Sequence, residues 1–230
     1  MKQLDDRLQA VAAMVPPGSR LADVGTDHGL LPIALVQAGV VPHAIASDVV
    51  EGPLSAARAG VLRAGLTEQI ETRLSDGLDA VTPEEVDCVV MAGMGGRLIL
   101  QLTERASWLQ NPAKTLVLQP MTDAPLVREQ LYGKGFELAD ERAAMDRTHV
   151  YTVMTFRYGG RPQTITPVFR YTGLLPRRRQ AAEAMFLQRQ RLRLQQQYRG
   201  LLHTGKDPKT AQMLADVIDF IQQWEQEETT

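Results

Sequence analysis

Three carboxylates stand where short apolar runs stop: Asp23 in Leu21–Gly25, Asp48 after Ala44–Ser47, and Asp76 after Ile70–Ser75. In an open α/β sheet, ligands bind beyond the carboxyl ends of the strands, so residues at run ends are the first place to look for chemistry. A carboxylate at the end of the second run can accept both hydroxyls of an adenosine ribose. Asp76, followed by Gly77, is placed to accept from an adenine amino group. Gly25 lets the chain turn sharply and approach a ligand closely. Two cofactor classes use such an acid, dinucleotides and S-adenosylmethionine. A dinucleotide pyrophosphate wants a bare glycine loop at a helix N-terminus. Here the loop is Gly25-Thr26-Asp27-His28-Gly29. The Asp27 charge would repel a pyrophosphate and suits an ammonium or sulfonium, so the local chemistry favours the methyl donor. Asp27 could instead cap the following helix, and His28 could be a structural donor to a neighbouring loop.

The elements that must position these residues alternate. Leu4, Leu8, Val11, Ala12 and Val15 recur at helical spacing over 3–15, ended by Pro16-Pro17-Gly18. A strand is expected over 20–24, a helix from Leu30 to Gly39, a strand over 43–48, a helix over 53–64 and a strand over 70–74. Residues 86–92 are nearly all apolar, as in a strand buried on both faces, and lead into an expected loop, Gly93-Met94-Gly95-Gly96. A helix over 98–106 and a strand over 115–118 follow, the strand ending at Gln119-Pro120. Asp123 is placed to cap a helix reaching Tyr132. Two last strands, 136–142 and 150–157, have no helix between them and suit a hairpin-like edge with one antiparallel member. This βα alternation predicts a mostly parallel sheet with helices on both faces.

Gly159-Gly160-Arg161-Pro162 breaks the pattern and marks the expected boundary between a domain of residues 1–158 and a helical one of residues 159–230. Ala184, Leu187, Leu194, Tyr198 and Leu201, counted through Arg191, lie close to a heptad seam. With Gly205 as a stop and Asp207-Pro208 as a cap, residues 177–226 are expected to form an antiparallel helical hairpin. The net charge of the chain is −2, yet residues 157–199 hold ten arginines and one acid, Glu183. Such a concentration on an otherwise acidic chain points to a polyanion. Arginines at a helix start also sit badly with the helix dipole, a second hint of a phosphate partner. The seam could alternatively mediate dimerisation.

The single cysteine, Cys88, excludes an internal disulfide, and its apolar surroundings mark it as an inert core residue. No apolar run approaches the roughly 18 residues of a membrane span. Met1–Asp6 carries acids and no hydrophobic signal core. A soluble, cytoplasmic protein is expected. No His, Cys and acid cluster has metal-ligand spacing, so no metal is expected. His149 and Asp140-Glu141 look like ordinary strand ends, the latter solvated.

The blocks Asp23–Pro32, Ala46–Val49 with Gly52-Pro53-Leu54, Arg73–Leu78, Met91–Gly96 and Leu116–Pro120 resemble, in continuous order over about residues 1–157, the bacterial tRNA methyltransferases acting on N1 of adenine 22. The arginine-rich tail also looks like that family's C-terminal helical domain. The chain departs from the family pattern at Met121, where Asn is expected, and in Arg147–Tyr151. The resemblance implies a Rossmann-like class I methyltransferase sheet with a C-terminal, coiled-coil-like helical hairpin, S-adenosylmethionine as cofactor and tRNA as partner. It implies that the cofactor lies against Asp23, Gly25, Thr26, Asp27, His28, Gly29, Asp48, Val49, Asp76, Gly77, Ala92, Gly93 and Met94. Asp27, His28, Gly95, Gly96 and Gln119 are then expected beside the reacting base, with the Gln119 amide or the glycine carbonyls identifying its amino group. Arg170, Arg177, Arg178, Arg179, Arg189 and Arg193 are expected to contact RNA. Two other readings remain: a non-catalytic RNA-binding protein that keeps a cofactor pocket as a sensor, and a nicotinamide-dependent oxidoreductase.

Overall fold

The computed structural model describes residues 4–146, 148–205 and 207–227. The expectations that fell on residues 1–3, on Arg147 and on the last residues of the C-terminus lie outside these. Seven strands form one sheet: β1 (Leu21–Val24), β2 (Ala44–Asp48), β3 (Ile70–Leu74), β4 (Cys88–Gly95), β5 (Thr115–Thr122), β6 (Phe136–Asp146) and β7 (His149–Tyr158). Their order is β3-β2-β1-β4-β5-β7-β6. All neighbours up to β5 are parallel, and β7 runs antiparallel to both β5 and β6. The hairpin-like edge with one antiparallel strand is present as expected.

The continuous apolar runs exist because both sheet faces are covered. Along β4, Val89 and Met91 join one core with the helices α4 (Gly96–Arg105) and α5 (Ala124–Gly133). Cys88 and Val90 join the other, with α1 (Asp6–Ala12), α2 (Leu30–Gln37) and α3 (Glu51–Ala64). Period-2 alternation sends each residue to one core or the other. Cys88 is fully buried, and burial pushes its thiol up to about 12.

Several boundaries differ from the sequence expectation. The first helix is shorter because Asp5 caps it, accepting from the Leu8 N–H at 2.7 Å. Asp123 does occupy an N-cap position, but in the left-handed conformation and with no side-chain cap bond. Gly93–Gly95 are not a loop. They prolong β4, with register shifts against β5 on either side of Met94. A helix not foreseen, α6 (Pro167–Thr172), is capped by Thr166, whose hydroxyl accepts from the Phe169 N–H.

The tail helices are α7 (Ala181–Thr204) and α8 (Pro208–Glu227). Gly205 ends α7 in the left-handed conformation and Asp207 caps α8 through the Thr210 N–H. Leu187 and Leu194 are buried against Leu214, Val217, Ile221 and Trp224, which is the expected seam. Its basic interruption, Arg191, reaches across to Glu225 at 2.9 Å. Arg177–Arg179 precede α7 instead of starting it, so the dipole misfit does not arise.

The tail is fastened to the sheet edge by polar groups. Glu183, the one acid of the arginine block, is buried and accepts from the Ala143 N–H of β6 at 2.9 Å. Glu141 is not solvated. It is fully buried with Arg128 of α5, Nη2 to Oε1 at 2.6 Å. The Thr152 hydroxyl donates to the same oxygen, and the Leu174 N–H to the other. Arg128 in turn donates to the Arg170 carbonyl of α6. A buried charge is tolerated where it is paired and its remaining positions are hydrogen-bonded, and all of that occurs here.

Candidate active site

The order of the sheet reverses between β1 and β4, and the crevice beyond their carboxyl ends gathers the strand-terminal acids. Gly25, at φ 74°, follows β1 directly. The N–H groups of Gly25 and Thr26 donate to the Ser47 carbonyl at 2.8 and 2.9 Å, which fastens the turn to β2. A Cβ on Gly25 would meet only the flexible end of the Met94 side chain, so it is the left-handed backbone conformation that reserves the turn for glycine. Asp23 lies beneath it, buried. Burial pushes its carboxyl up to about 6, opposed by Thr26 and reinforced by the charge of Asp48. The Thr26 hydroxyl is close enough to exert that pull without completing a hydrogen bond of ordinary geometry.

Asp48 ends β2 with one oxygen accepting from the Val50 N–H at 2.8 Å, which fixes the carboxylate and leaves the other oxygen open. Val49 and Leu74, at the ends of β2 and β3, are more than half exposed. Two exposed apolar side chains at neighbouring strand ends suit a flat base. At the end of β3, Ser75 orders the turn, donating to the Gly77 carbonyl and accepting from the Ala80 N–H. Asp76 accepts from Arg105 through one oxygen at 2.8 Å. Gly77, at φ 63°, lies against Leu102.

Across the crevice, the end of β4 is organised by Gln119 together with Arg7, a residue that nothing in the sequence singles out. Gln119 is fully buried, and its Oε1 accepts from both the Gly93 N–H and Arg7 Nη1 of α1, each at 2.9 Å. Its Nε2 points to the Pro120 carbonyl and the Met121 sulfur. The amide expected to identify the base is therefore engaged within the protein, and it orients the Gly93 backbone. Gly96 is buried too, where a Cβ would clash with the Thr122 carbonyl. Gly96 allows close packing of α4 on the end of β5. Ala92, Gly93, Met94 and Gly95 remain at least partly open.

Asp27 and His28 are both exposed and pair with each other, Oδ1 to Nε2 at 3.2 Å. His28 sits at φ 61° and lines a broad groove bounded by α1, α2 and α3. Neither residue caps α2, whose N-cap is Gly29. The arginines divide. Arg178 is held by Asp140 at 2.7 Å, Arg179 by Glu227 at 3.1 Å and Arg170 by Glu129 at 3.2 Å. Arg189 donates to the Thr148 carbonyl and stays exposed. Arg177 and Arg193 are exposed and form no ion pair among the described residues. Also among these, no helix is long and apolar enough to cross a membrane.

The chain is similar to known proteins in sequence and in fold. Residues 4–154 match the family described as a methyltransferase domain. The chain is 34% identical over 173 residues to the tRNA (adenine(22)-N(1))-methyltransferase of Bacillus subtilis, covering 75% of this chain and 73% of that one. The chain belongs to that methyltransferase family. Among solved structures, the methyltransferase superposes on the B. subtilis m1A22 tRNA methyltransferase TrmK with a TM-score of 0.82 at 28% identity, over 97% of this chain and 99% of that one. Streptococcus pneumoniae Sp1610, solved in complex with S-adenosyl-L-methionine, matches with a TM-score of 0.81 at 31% identity, over 97% of this chain and 100% of that one.

The residues of the methyltransferase fit that cofactor. The Thr26 and Ser47 hydroxyls are buried beside the turn without hydrogen-bond partners among the described residues. Gly25 holds the left-handed turn, Asp48 keeps a free oxygen, and Val49 and Leu74 stand exposed at neighbouring strand ends.

Proposed function

We propose that the protein transfers the methyl group of S-adenosylmethionine to N1 of adenine 22 of tRNA. The observation that carries this is the extent of the likeness to the B. subtilis enzyme TrmK, which includes the helical tail as well as the sheet. We read residues 1–158 as the catalytic unit and residues 159–230 as the part that contacts tRNA.

When bound, S-adenosylmethionine supplies a methyl made electrophilic by its cationic sulfur. Asp48 would hold the ribose hydroxyls, Val49 and Leu74 would flank the adenine ring, and Asp76 would accept from its amino group through the oxygen that Arg105 leaves free. Neutral adenine N1 carries an in-plane lone pair and no proton, so no side chain has to act as a base. The protein's contribution is alignment and exclusion of water. Gly93–Gly95, fixed by Gln119 and Arg7, form the wall against which the target base would be held. That base must leave its stack in the folded tRNA, at a cost of a few kcal/mol. Contacts from the tail to backbone phosphates would offset this cost.

The test is methyl transfer to unmodified tRNA transcripts with and without adenine at position 22, followed by nucleoside analysis. 1-Methyladenosine should form only on the first. Binding of S-adenosylmethionine without transfer would mark a sensor, and absence of that binding would sink the proposal.

A further inference from the structure

Between the end of β5, the start of β7 and one face of α7 lies a cleft of 170 Å³, separate from the crevice at β1 and β4. It is smaller than the roughly 300 Å³ from which ordinary small-molecule pockets start, and it is of a size for one nucleobase. Its walls are unusual for a seam between two parts of a chain. Tyr151 lines it, its ring stacked on the exposed His149 at 6.0 Å and 14°. Phe186 of α7 faces it, and so do Arg189, Gln190 and Arg193. Arg193 is exposed with no ion pair among the described residues. The facing acid, Asp123, is 3.6 Å from Arg97, which moderates its charge toward an incoming phosphate.

Resting on the tRNA methyltransferase reading, we infer that this cleft is a second subsite, which takes the nucleotide adjoining the target adenine: its base against Tyr151 and its phosphate at Arg193. Aromatic faces beside unpaired arginines are how single-stranded nucleotides are held without reading a groove. The position fits. Met94 and Gly95, on the wall proposed for the target base, are in register with Pro120 and Thr122, and Pro120–Thr122 also form a wall of the cleft. The two sites thus adjoin across the paired ends of β4 and β5. A tRNA strand with one base turned into the crevice brings its neighbour, also unstacked, to the other side. Met121 and the stretch ending at Tyr151, where the chain departs from the family pattern, both contribute to this cleft, so the subsite is built from this chain's own residues.

The experiment uses the full chain and an unmodified tRNA transcript, with S-adenosylmethionine affinity measured in parallel. Tyr151→Leu and Arg193→Ala should each weaken tRNA binding and raise KM about ten-fold, the scale of one lost base stack or phosphate contact. Cofactor affinity should not change, and Tyr151→Phe should bind as the unaltered enzyme does. Transcripts with an abasic nucleotide on either side of the target adenine identify the occupant. One of them should cost the unaltered enzyme the same factor and cost Tyr151→Leu nothing more. If Tyr151→Leu binds tRNA normally, or neither abasic transcript binds more weakly, the subsite is overturned while the enzyme's assignment stands. If the unaltered enzyme transfers no methyl to the intact transcript, the assignment falls and takes the subsite with it.

Discussion

At the scale of single residues, Asp48, Asp23 and Arg7 each make a separable claim. Asp48→Ala should weaken S-adenosylmethionine binding by about ten- to a hundred-fold, since a hydrogen bond to a charged group contributes ~1.5–3 kcal/mol; calorimetric affinity equal to that of the unaltered protein would refute a ribose contact. Asp23 makes a claim about pH. Its carboxyl is raised from 3.8 to about 6 on folding, so between those values the folded chain holds a proton that the unfolded chain has released. Folding stability is therefore undiminished below the lower value and falls as pH rises through about 6, by about 3 kcal/mol in all. A cationic ligand favours the ionised carboxylate. Cofactor affinity should thus rise from about pH 5 to about pH 7 with release of a proton, visible by calorimetry in buffers of different ionisation enthalpy, and Asp23→Asn should abolish the step. Arg7 is a positioning residue, because its hydrogen bond at the site goes to Gln119, which in turn holds the Gly93 N–H. Arg7→Ala should lower kcat about ten-fold with little change in cofactor affinity, and Arg7→Lys should restore part of it. A change confined to folding stability would make the contact merely structural. Asp23 and Asp48 were legible in the sequence because strand ends are marked by composition. Arg7 was not, because nothing local links residue 7 to residues 93 and 119.

At the scale of elements, the sequence announces what is periodic and conceals what is paired at a distance. The parallel strands and the tail hairpin follow from apolar runs and from the signals at Gly205, Asp207 and Pro208. The prolongation of β4 is hidden because three glycines within four residues resemble a turn, whereas here they let a strand bulge beside Gln119. The junction between sheet and tail is hidden for another reason. Arg128 and Glu141 are residue types expected in water, and only the fold brings them together in the interior. Gly173 belongs to the same junction: at φ 57° a Cβ there would overlap the Glu141 carboxylate. Glu141→Gln should cost about 3–5 kcal/mol in urea denaturation, because Arg128 is left buried without its counter-charge. The double change Arg128→Met with Glu141→Leu should cost less than either single change, since it leaves no unpaired charge behind. If the single and double variants unfold at the same urea concentration, the pair contributes through packing alone.

At the scale of the whole molecule, the arginines that the sequence presents as one block divide into two groups, and the proposed function gives the second a task of its own. Some of them hold the molecule together: Arg178 bonds Asp140 and the Glu141 carbonyl, and Arg179 reaches from the start of the tail to Glu227 near its end. Others, Arg177 and Arg199 among them, are exposed and form no ion pair among the described residues. On the proposed reading, a polyanion would be bound by the second group and would have to break the contacts of the first. Counterion release separates the two, since each phosphate neutralised adds about 0.7–0.9 to the slope of log affinity against log salt. The double variant Arg177→Ala with Arg199→Ala should lower tRNA affinity and reduce that slope by up to about 1.8, while leaving the urea midpoint and cofactor affinity unchanged. Arg178→Ala should do the reverse, lowering the urea midpoint with little effect on the slope. Replacing Arg177, Arg178 and Arg179 together would confound the two, because a fall in tRNA binding could then come from a loosened junction. Should Arg178→Ala flatten the salt dependence as much as the exposed pair does, its bond to Asp140 must yield to phosphate, and the sheet edge would itself be part of the tRNA-binding surface.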